Sequence, residues 1–169
     1  FAADSLLAAF KKIWGAEKFS DRMEYILSMT LLALLEYPEA TLLGINRMYS
    51  DKEFRAKVVE HVTDITVKSF WTQTFATWDP KYAREATAAI ENKVGQLSSN
   101  PMIRNIVGQP KSSFDFREIM DNKKIFIANL SIGRIGEQNT SLLGAMLMSK
   151  LYLSAMSWAD QSKSQMDLL

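Results

Sequence analysis

One short run, Ile125-Phe126-Ile127-Ala128-Asn129-Leu130, is the place in this chain where the hydrophobic pattern stops being helical. β-Branched and aromatic residues dominate it, with Lys123 and Lys124 before it and Gly133 and Gly136 after it. That composition predicts a buried strand over 124–130. A strand constrains a fold more than a helix does, because its N–H and C=O groups must be met from outside the segment. A Gly133-Arg134-Ile135-Gly136 loop follows, and a long apolar helix is expected over 137–158. Strand, glycine loop and helix make up the unit from which α/β nucleotide-handling proteins are assembled.

Everything upstream reads as helix. Leu6, Leu7, Phe10, Ile13 and Trp14 recur at helical spacing up to Gly15. Ser20 and Asp21 open a second helix that runs to about Tyr37, apolar on nearly every side and therefore central in its domain. Ser50 with Glu53 has capping-box spacing, and Asp64, Asp79-Pro80 and Asn100-Pro101 mark further starts. Five or six helices between residues 20 and 107 are expected, joined by short connections. Gly108 to Ser113 is rich in glycine, proline and serine and reads as a linker. Phe114 to Met120 is a short helical turn, with Asp115 and Glu118 in capping register. The ending, 161–169, is polar and expected to fray.

Composition closes off several chemistries. The chain has no cysteine and a single histidine, His61. Disulfides, cysteine–zinc sites and thiol catalysis are thereby excluded, and a histidine-rich metal site would have to be built on one imidazole. Twenty basic and 19 acidic residues balance to a net charge of +1, which gives no bulk electrostatic drive toward nucleic acid. The longest apolar stretch, Tyr25 to Leu35, is too short for a bilayer, which takes about 20 residues.

Few residues stand out as a site. Arg134, carried between Gly133 and Gly136 on a sharp loop beside a strand end, is a candidate for a nucleotide phosphate or a subunit boundary. The plainer reading of the two glycines is turn chemistry. Arg104, Lys111, Arg117, Lys123 and Lys124 form the densest basic stretch, diluted by Asp115, Glu118 and Asp121. A solvated surface is the first reading of that stretch and a weak polyanion contact the second. Phe70, Trp71, Phe75 and Trp78 fall at helical intervals and read as core rather than as a base-stacking platform. No Gly-x-x-x-x-Gly-Lys-Ser/Thr loop occurs, and no strand ends in paired acids that would hold magnesium. No catalytic residue and no metal ligand is assigned.

Several stretches taken together resemble a known family. They are Leu31 to Pro38, Asn92 to Gln96, Asn100 to Gln109, Phe114-Asp115-Phe116 with Ile119-Met120, and Ile125 to Gly136 with its helix. In this order they are similar to the middle of the conjugative coupling-protein ATPases (TraG/TraD type) of type IV secretion, within the FtsK/HerA class of P-loop DNA motors. The similarity covers roughly residues 5 to 160. In that family the phosphate-binding loop lies upstream of a helical insertion, and the acidic magnesium-binding strand lies just downstream of the long helix. This chain looks like the interval between them.

The resemblance implies a hexameric, ATP- and magnesium-dependent DNA translocase at the cytoplasmic face of an inner membrane. Secretion or relaxosome proteins would be its partners, and Arg134 would lie near a subunit boundary. The chain itself is expected to be cytoplasmic, to carry no cofactor and to be inactive alone. The expected fold is mainly α: an all-α lobe over 1–107, a linker at 108–113, and a partial α/β motor core over 114–160. The competing reading is a stand-alone helical interaction module whose 125–130 strand pairs with a partner or a second copy, with no catalysis.

Overall fold

The computed structural model describes residues 2–166, the side chains of Gln138 and of residues 158–166 excepted. It is mainly helical, as the periodicity predicts, and among the described residues it contains no strand. The chain divides into two compact units, one ending at Lys111 and one beginning at Ser112.

The first unit is all helix. It comprises α1 (Ala2–Trp14), α2 (Asp21–Leu35), α3 (Gly44–Ser50), α4 (Lys52–His61), α5 (Ile65–Ser69), α6 (Pro80–Ser99) and α7 (Pro101–Val107). Helix α2 is its centre, packing against α1, α3, α4, α5 and α6. Ile26, Leu27 and Leu31 of α2 are fully or almost fully buried, as are Phe10, Ile45, Met48, Val58, Ile90 and Val94 around them. Most of these starts have a side-chain cap; that of α3, at Leu43, has none. Ser20 accepts from Met23 N, Asp64 from Thr66 N and Val67 N, Asp79 from Lys81 N and Tyr82 N, and Asn100 from Met102 N and Ile103 N. Both helices that follow Asp79 and Asn100 place proline where no backbone donor is needed.

Two local details differ from the expected pattern. The cap of α4 is Asp51, which accepts from Phe54 N, while Ser50 donates its hydroxyl hydrogen to Asn46 O and finishes α3. After α5 the chain widens into a π turn over Phe70–Thr74 and then tightens into a 3₁₀ turn over Phe75–Thr77. The changes of pitch bury Phe70, Trp71 and Phe75 together. Ring centroids lie 5.0 Å apart for Phe70–Trp71 and 4.9 Å for Trp71–Phe75, so these aromatics are core.

The second unit holds α8 (Phe116–Asp121), α9 (Ile132–Ile135) and α10 (Glu137–Met166), with α10 packed on both α8 and α9. Residues 124–130, expected as a strand, form none: no ladder partner exists for them among the described residues. A strand is defined by its neighbours, and periodicity within six residues cannot supply them. Helix α10 runs past the expected end at 158 to Met166, taking in much of the expected polar tail; 167–169 lie outside the described residues.

Candidate functional site

The second unit contains the residues singled out around Arg134, and its geometry begins at α8. Asp115 caps that helix, its Oδ1 accepting from Arg117 N at 2.6 Å and Glu118 N at 3.4 Å. At the other end Lys123 N donates to Met120 O and Lys124 N to Ile119 O, the paired bonds of a Schellman motif. That motif needs a left-handed residue, and Lys123 adopts it with φ of 51° where glycine is usual. The reversal sends the chain into residues 125–130.

There the side chains alternate. Phe126 packs against Phe114 and Phe116, with centroids 5.2 and 5.0 Å away. Ile125 and Ile127 point away from that cluster and are 90% and 85% exposed. No main-chain atom of residues 125–130 takes part in a hydrogen bond among the described residues.

Helix α9 follows as a single turn that includes Gly133, so Gly133 serves as a helical residue with open space where a Cβ would stand. Gly136 is the true joint. Its φ is 82°, which L residues rarely adopt, and it separates α9 from α10. Arg134 between them is exposed, and its guanidinium has no hydrogen-bond or ion-pair partner among the described residues. A fixed turn holding an unpaired guanidinium can donate to a carboxylate or a phosphate.

The other basic residues do not act as one group. Arg117 Nε donates to both carboxylate oxygens of Asp121, at 2.9 and 2.8 Å, and Lys124 Nζ lies 2.9 Å from Glu118. Arg104 on α7 and Lys111 belong to the first unit, and Lys123 holds its turn through the backbone. Two of the five are thus neutralised locally.

Cavities open on both units. One of about 240 Å³ in the first unit has Tyr37, Arg47, Asp51, Phe54 and Lys57 among its lining residues. Arg47 lies 3.9 Å from the Phe54 ring centroid and 2.9 Å from Asp51, an arrangement that an i,i+4 reading of Arg47 and Asp51 could have found. The Phe54 N–H and Arg47 together hold the Asp51 carboxyl below its ordinary range. The space is smaller than the roughly 300–1,000 Å³ of most small-molecule sites. Another, about 420 Å³, lies against Ser112, Ser113, Lys150 and Ser154 in the second unit. Its two acids, Asp115 and Glu118, are already engaged in the cap and the Lys124 pair. No cluster of three or more potential metal ligands exists among the described residues.

This chain matches no protein-family model, no curated protein and no solved structure.

Three polar features of the first unit escaped the sequence reading. Tyr49 is half-buried, its hydroxyl 2.7 Å from that of Thr30, and loss of solvent around the ring hydroxyl pushes its phenol well above the ordinary tyrosine range. Lys93 sits over the rings of Trp14 and Phe19, at 5.5 and 5.8 Å, and desolvation lowers its ammonium pKa. Glu36 accepts from the hydroxyl and backbone N–H of Thr63, which pull its carboxyl below the usual range. Each is a long-range pairing, between residues that a linear pattern does not connect. His61 ends α4 with Nδ1 2.9 Å from Lys57 O and its ring edge-on to Tyr37. No helix of the described residues is long and apolar enough to cross a membrane.

Proposed function

We propose that this chain is the interval between the phosphate-binding loop and the acidic strand of a TraG/TraD-type coupling ATPase, a part of a DNA-translocating motor that is inactive by itself. The observation that supports this reading most is the state of residues 125–130. They carry an apolar strand composition, an unpaired main chain and a bare isoleucine face directly ahead of a glycine joint and a long apolar helix. A strand of an α/β sheet is covered on both faces and paired on its edges. This one has the sequence for such a place and none of the neighbours.

In this reading the all-α first unit is an insertion, ATP and magnesium bind to other parts of the parent protein, and the parent works as a hexamer at the cytoplasmic face of a membrane. Arg134 would then face a phosphate or an acid of the adjoining subunit. DNA and secretion or relaxosome proteins are the partners this reading calls for.

The decisive test is the flanking reading frame. A Gly-x-x-x-x-Gly-Lys-Ser/Thr loop upstream and an apolar strand ending in Asp-Glu downstream are expected; if both are missing, the reading falls. The purified 169-residue chain is expected to show no ATP turnover above a buffer blank. The bare edge also favours the second reading, an interaction module that recognises its partner by strand addition.

A further inference from the structure

We propose that the first-unit cavity beside α4 binds a free α-amino acid as its zwitterion. Its walls come from the Tyr37–Ala40 turn, from Arg47 of α3 and from α4, all within the first unit, and owe nothing to the motor reading. Opposite charges line this space without neutralising one another. Arg47 and Asp51 are paired at 2.9 Å, and Asp51 also caps α4, so these two are fixed and cancel. Glu53 and Lys57 stand four residues apart on α4 with the glutamate first, the order in which such side chains usually pair on a helix. Here no ion pair joins them among the described residues, although both line the same cavity, and Glu39 of the turn is unpaired as well.

An α-amino acid carries the complement, an ammonium and a carboxylate on the same carbon. Its ammonium donates to Glu53 and Glu39, and its carboxylate accepts from Lys57 and from the Arg47 N–H groups that Asp51 leaves unused. Arg47 is held ready for an anion, its guanidinium 3.9 Å from the Phe54 ring centroid. The Tyr37 ring, edge-on to Phe54 at 5.9 Å, offers an apolar wall to the ligand's side chain. At about 240 Å³ the cavity falls below the roughly 300 Å³ at which drug-sized ligands begin, which suits a molecule of amino-acid size. A lone cation would leave Lys57 unanswered, and a lone anion would meet two carboxylates. An open, polar site of this kind binds weakly, with a dissociation constant on the order of 1 mM.

L-Leucine is the probe. Titration of the full chain, followed by amide NMR, should saturate with a constant of about 1 mM and shift the signals of Tyr37, Glu53 and Lys57. Isoamylamine is leucine without its carboxylate and isocaproate is leucine without its ammonium; each should bind about tenfold more weakly or worse. Lys57→Met and Glu53→Gln alter exposed side chains that make no hydrogen bond or ion pair among the described residues. Each should weaken leucine about tenfold while leaving the thermal midpoint in place. An absence of saturation up to about 20 mM, roughly twentyfold above the expected constant, would overturn the proposal. So would equal binding of the amine or the acid alone, or leucine binding that both variants retain. A flanking frame without the motor motifs would leave it standing.

Discussion

The two units of this chain solve the same problem to different extents. In the first, apolar side chains on α2, α3, α4 and α6 converge, and Leu27, Ile45, Val58 and Ile90 are wholly buried. In the second, one long helix has α8 and α9 to pack on, and Ile125, Ile127, Met148, Tyr152 and Met156 remain exposed. A helix that is apolar on most sides needs partners on most sides. The contrast teaches that hydrophobic content does not make a core; the number of elements that can surround one helix does.

Substitutions can break this contrast or sharpen it. Truncating a first-unit core residue, Leu27→Ala or Ile45→Ala, should cost about 2–5 kcal/mol in chemical denaturation, because the cavity cannot refill. Ile125→Ala, by comparison, should fall within about 0.5 kcal/mol, since its side chain is almost free of the fold. Equal losses at both positions would erase the distinction between the units.

A smaller effect is expected inside the first core. Tyr49→Phe removes the hydroxyl that meets Thr30, while Thr30 keeps its bond to Ile26 O, so the loss should be about 1 kcal/mol by thermal or urea unfolding. Comparable in size and opposite in sign is Lys123→Gly in the second unit. It relieves a left-handed non-glycine backbone and should stabilise the Schellman turn by about 1 kcal/mol.

The smallest effect is set by pH. The folded pKa of Glu36 lies below its ordinary 4.5, so its bonds to Thr63 contribute fully above that value and are lost as pH falls through the folded pKa. Thermal midpoints of the native chain and of Glu36→Gln should therefore differ at neutral pH and converge in acid. A gap that widened on acidification would reverse the sign and remove the proposed cause.

What could be read from the sequence follows the range of the forces involved. Asp79-Pro80 and Asn100-Pro101 were legible as helix starts because cap and first turn lie within three residues. The start of α4 was displaced by one residue because Ser50 and Asp51 are both able to cap, and the Ser50 hydroxyl is bonded to Asn46 O instead. The π turn at Phe70–Thr74 had no local sign, since its aromatic spacing also fits an ordinary helix. Around the candidate site, Arg134 and Gly136 were legible from composition, and Gly136 does hold a positive φ. Gly133 was misread as a loop position because one helical turn fits between two glycines. The basic run looked like a cluster only in one dimension. Folding pairs Arg117 with Asp121 one turn along α8 and returns Lys124 to Glu118. The strand was unreadable in the other sense: the pattern was present, but its partners would have to come from elsewhere.

Gly136 has a mechanical consequence. Helix α10 is 30 residues long, so it extends about 45 Å from that joint. A torsional change of about 10° at its base would sweep the far end through roughly 8 Å on that lever. The angle at which α10 leaves α9 is therefore set in the backbone at a single residue without a side chain and held by the packing of α10 on α8 and α9, and small backbone adjustments there are magnified along the whole arm.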